Sequence, residues 1–352
     1  VTAAGLRAIG LDVGGTSVRA GVVDERGSLL DTTRVGTPSD ENALEDAIAG
    51  AIEELRNRHE GVAAVGLAVA GFVAQDRRSV MFAPHLAWRA APVADRIAKR
   101  VGLPVTLEHD ANAATVAEHR FGAARGAEVA CLIALGTGIG AGLLLNGRIY
   151  RGAHGVAPEL GHLCVVPGGR ACPCGKYGCW ERYCSGTALA ATAVELLARH
   201  PGSSTVLARE ISGDPGSLTG RRVAGAARDG DPIAQRALGE LAKWLGEGLA
   251  LVADVFDPEV MVIAGGVSES APLFLDEARE HYAGAITGAG HRPLARIRTA
   301  HLGDDTAIVG AAALALDSHV ESRTDPAAAS PSTRVGEAPR AWRWGVGQRK
   351  AT

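Results

Sequence analysis

The sequence predicts an α/β protein of two units, each opening with strands around a glycine-rich turn. Three observations carry that prediction. Strand-length apolar runs alternate with segments of helical spacing through the first third of the chain. LDVGGTSVRAGVVD at 11–24 and LGTGIGAG at 135–142 each place a glycine turn at the end of an apolar run, and the second opens a fresh set of strands. The length, 352 residues, is enough for two domains of ordinary size, each with its own core.

Taken in order, residues 6–11 are a short, mostly apolar run, and 17–23 and 28–35 read as a second and a third strand. Residues 41–58 have helical spacing, with Leu44, Ile48, Ile52 and Leu55 on one face. A buried strand is expected at 62–69, a helix at 92–101, a strand at 104–108 and a helix at 111–121, just past Asp110. The second set opens with strands at 128–135 and 141–145 and continues past a cysteine cluster into helices. Asp231-Pro232 is a strong helix start, an N-cap followed by proline at the first helical position. That apolar helix reaches about residue 256, before a strand at 259–264. From about His319 the chain is rich in Pro, Ser, Ala and Arg without periodicity, which predicts a disordered tail over 319–352. Trp342 and Trp344 among its arginines are alternatively a small contact motif.

Composition narrows the functions. Basic and acidic residues nearly balance, 36 against 39, so neither nucleic acid nor an acidic membrane surface is expected as the main partner. No run approaches membrane-spanning length and the first ten residues lack a signal-peptide pattern, so the expected location is cytoplasmic. Six cysteines suffice for disulfides, but a reducing compartment and a tight cluster point elsewhere.

In the first turn Asp12 ends a buried strand, and Gly14, Gly15 and Thr16 make the bend. The glycines let backbone N–H groups face an anion, Thr16 adds a hydroxyl donor, and a free carboxylate at Asp12 suits a Mg²⁺-bound water. A plain hairpin turn is the competing reading of this motif alone. The second turn carries Gly136, Thr137, Gly138 and Gly140 at spacing G-x-G-x-G-x-G and joins strand to strand. It is therefore not the dinucleotide fingerprint, which joins strand to helix, and no G-x-x-x-x-G-K-[ST] loop occurs. The third, VIAGGV at 262–267, sets Gly265 and Gly266 after a buried strand and before Ser268, read as a helix cap. Three such turns fit one nucleotide gripped between two domains.

In this order the turns resemble the two phosphate motifs and the adenosine motif of sugar kinases with the actin-like ATPase (ribonuclease H-like) fold. EHDANAA around Asp110, PELGH with Glu159 and His162, and the cysteine cluster are similar to the ROK family (repressors, open reading frames, kinases), its bacterial glucokinase branch in particular, over residues 6–317. The resemblance implies a nucleotide and sugar cleft between two α/β domains. These are 1–115, completed by a helix at about 306–318, and 116–305 with a zinc-binding insertion. It implies Mg-ATP-dependent phosphorylation of glucose at its 6-hydroxyl, with Asp110 as the general base that orients the hydroxyl and takes its proton. An ordinary helix N-cap is the competing reading of Asp110. Gly71, Glu159, His162 and Glu181 would contact the sugar, whose hydroxyls bind carboxylates strongly in a partly dry pocket. Relatives are commonly dimers or tetramers, so a homo-oligomer is expected.

The stretch CPCGKYGCWE at 172–181 then acquires a purpose. Cys172, Cys174 and Cys179 with His162 make four ligands that suit a structural, tetrahedral Zn²⁺. Zinc would pin the loop carrying Glu181 against the segment carrying Glu159 and His162, and would set the imidazole tautomer. Surface thiols or a redox pair are the competing reading. Cys131, Cys164 and Cys184 read as small buried apolar residues.

Two positions depart from the family pattern: His85 and His109 stand where Asn is usual. A neutral imidazole offers one donor and one acceptor at a different reach from an amide. Both sites are expected near the sugar's far hydroxyls, so another hexose or an N-acylhexosamine is the alternative substrate. A low-activity, sugar-sensing regulator acting through protein partners is the third reading. Direct DNA binding is disfavoured, because eleven residues precede Asp12 where the family's repressors carry a helix-turn-helix.

Overall fold

The computed structural model describes residues 5–210 and 214–324. Strands β1 (Arg7–Val13), β2 (Ser17–Asp24) and β3 (Leu29–Gly36) form an antiparallel meander. The second bend is held by Asp24, whose carboxylate accepts the N–H groups of Arg26 and Ser28. β1 runs past Leu11 to Val13, so Asp12 lies within the strand. Helix α1 (Glu41–Arg58) is capped by the Asp40 side chain and buries Leu44, Ile48, Ile52 and Leu55, the stripe its spacing predicts. β4 (Val62–Val69) then pairs parallel with β1. A three-stranded sheet of β5 (Phe72–Val73), β6 (Val80–Phe82) and β7 (Arg89–Ala91) follows, with strands too short to show periodicity in the sequence. Helix α2 (Val93–Val101), strand β8 (Val105–His109) and helix α3 (Asp110–Phe121) complete the first half.

The second half begins with β9 (Ala130–Leu135), β10 (Ile139–Leu145) and β11 (Arg148–Ile149). Helices α4 (Gly186–Arg199), α5 (Val206–Glu210), α6 (Gly220–Arg228) and α7 (Pro232–Phe256) follow. Asp231 caps α7 as its sequence predicts, accepting the N–H groups of Ile233 and Ala234. Strand β12 (Val260–Ala264), helix α8 (Leu275–Ala285), strand β13 (Arg296–Thr299) and helix α9 (Thr306–Thr324) end the described chain.

The first sheet has the order β3-β2-β1-β4-β8 and the second β11-β10-β9-β12-β13. In each the first three strands are antiparallel and the last two join in parallel, so one topology occurs twice. Alternation along β1 separates two cores: Ile9, Leu11 and Val13 pack with α1 and α2, while Ala8 packs with Ile308, Val309 and Ala312 of α9. Helix α3 lies between α9 and strands β9 and β10 of the second sheet.

These layers meet backbone to backbone. A Cβ on Gly66 would lie 2.0 Å from the Ala311 carbonyl oxygen, and one on Gly310 would lie 1.8 Å from that of Ala113. No flexible side chain is there to yield. Gly66→Ala is expected to cost about 3 kcal/mol or more. The thermal midpoint should fall by about 5 °C or more, whereas Gly36→Ala, with open space around it, should leave it in place.

Three sequence expectations and one competing reading need correction. Asp110 is the first residue of α3 and not its N-cap; His109 holds that position without a side-chain cap bond. Ser268 lies inside a 3₁₀ segment, Gly266–Leu273, and its hydroxyl donates to the Gly265 carbonyl, so it caps nothing. Cys131 and Cys184 are buried, but Cys164 is exposed, because its segment belongs to the cysteine-rich loop and faces no apolar layer. Residues 319–324, expected in the disordered tail, continue α9. The Ser322 and Thr324 hydroxyls there bond back to the carbonyls of His319 and Val320, a local support that leaves no apolar stripe to read. The rest of the expected tail, 325–352, lies outside the described residues. Among the described residues no helix is long and apolar enough to cross a membrane.

Candidate active site

Parallel pairing sets Asp12 level with Ala68 and Glu108, and Val13 level with Val69 and His109. The carboxyl ends of β1, β4 and β8 therefore meet on one edge, the place where open α/β sheets bind ligands. Asp110 is the next residue along, and its side chain is 38% exposed. Its Oδ1 accepts the N–H of Ala111 at 2.7 Å and lies 3.2 Å from His109 Nε2.

Asp12 is not the free carboxylate expected from the sequence. It pairs with Arg19 at 2.8 Å, and Arg19 also donates to the Asp304 carbonyl at 2.7 Å and lies 3.5 Å from Asp305. Burial lifts the Asp12 carboxyl above its ordinary range; Arg19 opposes that rise, while the charges of Asp110 and Asp305 add to it. Hairpin register was the available signal for Arg19, since a turn at Gly14 to Thr16 sets residue 19 directly opposite residue 12.

The glycine turns occupy matching places in the two sheets. Gly14 N–H donates to the Ser17 carbonyl, and Gly136 N–H donates to that of Gly138. Thr16 and Thr137 are exposed at the two bends, as Gly15 is. Gly186 N–H, at the start of α4, donates to the Gly136 carbonyl at 2.8 Å and fastens the second turn to that helix. Gly140 packs beside Ala111, next to Asp110. Gly265 has a φ of +81° and lies against Leu135, so the third turn abuts the second; Gly266 follows with open space about it.

Gly71, Phe72, His109 and Glu159 line one cleft with residues 155–158. His85 is not one of these lining residues; a Cβ on Gly15 would lie 2.7 Å from its Cβ, which puts this histidine beside the first turn. Burial raises the Glu159 carboxyl, the histidines at 109 and 162 lower it, and the charges of Asp110 and Glu181 raise it again. Acids brought together by three separate segments thus share one electrostatic site. Glu181 also reaches the second glycine turn, since a Cβ on Gly138 would lie 2.4 Å from its Oε2.

In the sequence Glu108 reads as an ordinary strand end. It is 3% exposed and accepts Arg151 Nε at 2.8 Å, Arg151 Nη2 at 2.6 Å and the Asn112 amide at 3.0 Å. Arg77 lies 3.5 Å away. Burial by itself would raise this carboxyl, but the two guanidinium groups and the hydrogen bonds outweigh it and hold Glu108 below the usual carboxylate range. Arg151 opens the segment that leads to Glu159, so the ion pair ties that segment to the strand that ends at Asp110.

The ligand atoms of His162, Cys172, Cys174 and Cys179 all lie within 4.8 Å of one another. His162 Nδ1 is 3.7 Å from Cys172 Sγ, and the sulfurs of Cys174 and Cys179 are 3.6 Å apart. Ligand separations in a tetrahedral zinc site are about 3.6–3.8 Å, so the donor set and its spacing fit that ion. Nδ1 of His162 faces the cluster, and Nε2 faces Glu159 at 3.9 Å. Cys172 donates to Glu181 Oε1 at 3.0 Å, which joins the cluster to an acid whose charge is felt at Glu159.

Comparison with known proteins bears on this arrangement. Residues 8–318 match the model of the ROK family. The glucokinase of Streptomyces coelicolor is 44% identical over 307 residues, covering 87% of this chain and 96% of that protein. A crystal structure of a ROK family glucokinase from Streptomyces griseus in complex with glucose and AMPPNP is 43% identical, with a TM-score of 0.79, and covers 88% of this chain and 99% of that one. A ROK hexokinase from Thermus thermophilus is 33% identical with a TM-score of 0.72, covering 91% of this chain and 100% of the other.

Proposed function

The chain belongs to the ROK family, and from that premise we infer that it transfers the γ-phosphoryl group of ATP to the 6-hydroxyl of D-glucose. It has the actin-like ATPase fold, with the same sheet topology used twice. The observation that carries the reading is the placement of Asp110 at the carboxyl edge of β1, β4 and β8, beside the cleft formed by Gly71, His109 and Glu159. The Streptomyces structure, which holds glucose and AMPPNP at 43% identity, supports it. The two halves of the catalytic cleft are assigned to residues 1–115 with 306–318 and to 116–305.

Phosphoryl transfer asks the protein for positioning and charge, not for covalent chemistry. Oδ1 of Asp110 is engaged by Ala111 N–H and His109, and neither of those contacts uses Oδ2. Oδ2 is thus the oxygen assigned to the sugar 6-hydroxyl; it takes the proton as the hydroxyl oxygen bonds to the γ-phosphorus and ADP leaves. Glu159, Glu181 and the Nε2 side of His162 are assigned to the other sugar hydroxyls, with Gly71 at the cleft wall. The exposed turn at Gly14, Gly15 and Thr16 and that at Gly136, Thr137 and Gly138 are assigned to the phosphates, and Gly265 and Gly266 to the nucleoside. Magnesium supplied with ATP offsets phosphate charge, and Asp12 is the carboxylate that would hold its water. Zinc on His162, Cys172, Cys174 and Cys179 would fill all four positions and so be structural, fixing the loop that carries Glu181.

His109, in the cleft and in contact with Asp110, keeps a second reading in view, a kinase for another hexose or an N-acylhexosamine. One assay separates the two: initial rates with Mg-ATP on glucose, mannose, fructose, allose, glucosamine and N-acetylmannosamine. Glucose is expected to give the highest kcat/KM. A different winner would overturn glucose as the substrate and make His109→Asn the change that should restore it; no turnover by folded protein on any sugar would sink the kinase reading.

A further inference from the structure

Cys164 lies outside the four-ligand cluster, yet the backbone brings it to a ligand. It forms an isolated antiparallel bridge with Cys179. Val165 N–H donates to the Gly178 carbonyl at 2.9 Å, and Trp180 N–H donates to the Leu163 carbonyl at 2.8 Å. Those bonds flank the 164/179 pair and leave it as the non-hydrogen-bonded kind, in which the Cα atoms approach to about 4.5 Å and the side chains share one face. That separation falls in the range a disulfide spans, about 4.4–6.8 Å. All six cysteines are free thiols, and the two of this pair differ in access: Cys164 is exposed and Cys179 fully buried. The Cys164 sulfur rests 3.6 Å from the Tyr177 carbonyl, on the loop that leads directly to Cys179.

We propose that Cys164 is an oxidation site whose product is a disulfide with Cys179, and that this bond dismantles the metal cluster. A hydroperoxide is the oxidant. The Cys164 thiolate attacks one peroxide oxygen and the O–O bond breaks, leaving a sulfenic acid and releasing water or an alcohol. The Cys179 thiolate then attacks that sulfur, the S–S bond forms, and the hydroxyl departs as a second water. Two thiols lose two electrons and two protons, and the peroxide receives them. The cluster keeps His162, Cys172 and Cys174, one ligand short of a closed site. Glu181, two residues beyond Cys179 on the loop that the metal would fix, loses that support, so glucose binding weakens while the glycine turns stay in place.

The inference rests on zinc occupying the cluster, and elemental analysis of untreated full-length protein tests that by itself. Protein then treated with hydrogen peroxide is followed by a zinc-sensitive dye and by peptide mapping without reductant. The expected result is a linked peptide joining Cys164 to Cys179, zinc release in step with it, and glucose affinity about tenfold or more lower. A thiol reductant with zinc should reverse all three. Cys164→Ala, an exposed change with normal activity before treatment, should slow zinc release by about tenfold. The proposal fails if that variant loses zinc as fast as the parent through links among Cys172, Cys174 and Cys179. It fails equally if Cys164 is recovered only as sulfinic acid with zinc retained. Zinc-free starting protein would overturn the metal assignment alone, and the peptide map would still decide whether the cross-link forms.

Discussion

Replacing Asp110 with Asn is expected to lower kcat by about 10²- to 10⁴-fold, the usual contribution of a positioned general base. The amide keeps the shape and still accepts a hydrogen bond, so glucose should bind with nearly unchanged affinity. Steady-state rates beside calorimetric glucose titration separate these effects. A variant retaining kcat within threefold or so would remove Asp110 from the chemistry and leave it as a helix-start residue. The His109 contact at Oδ1 gives the control: His109→Asn should shift kcat far less, because Oδ2 is left as it was.

The second large effect is on stability. Glu108→Gln leaves Arg151 and Arg77 facing each other around a neutral amide in a buried setting. Removing one member of such a group costs about 3–5 kcal/mol, and urea unfolding at neutral pH should show it. The sign of the pH dependence follows from the lowered carboxyl of Glu108. Its folded form holds the proton less tightly than the unfolded chain, whose glutamates titrate near about 4.3. The stabilisation is therefore complete above that value and is lost as pH falls through the lower folded one. Parent and variant should differ most at neutral pH and converge in acid. A gap that stayed constant between pH 7 and acid would show that the ion pair is not its source. Glucose affinity should also fall in the variant, since Arg151 anchors the segment that carries Glu159.

Which parts of this protein could be read from its letters follows from how local each signal is. Gly14, Gly15, Gly136, Gly138 and Gly265 declare themselves because a tight turn needs contiguous small residues. The stripe of α1 and the Asp231 cap are equally self-contained. The cysteine cluster is legible because three of its four ligands lie within eight residues, and His162 is the natural fourth. The rest depends on pairing across distance. Glu108 matters through Arg151, forty-three residues on, and no pattern near either residue announces the other. Arg19 sits between the two cases, since hairpin register alone would have placed it on Asp12. Cys164 departs from expectation because cysteine reads as a small apolar residue, a rule that holds where a core exists to receive it. His85 is a further case of pairing across distance: the segment before β7 folds back on the first turn and sets it beside Gly15, seventy residues earlier in the chain.

Helix α9 has a consequence for how the molecule is made. It begins at Thr306, yet it covers β1, which ends at Val13, and fits the bare backbone at Gly10 and Gly66. Roughly 300 residues of translation separate the strand from the helix that shields it, about 15–60 s at ordinary ribosome speeds. Throughout that interval the nascent first sheet exposes Ala8, Val23 and Ala64 on an uncovered face. The earliest-made half is thus the last to be sealed, by the chain's own far segment.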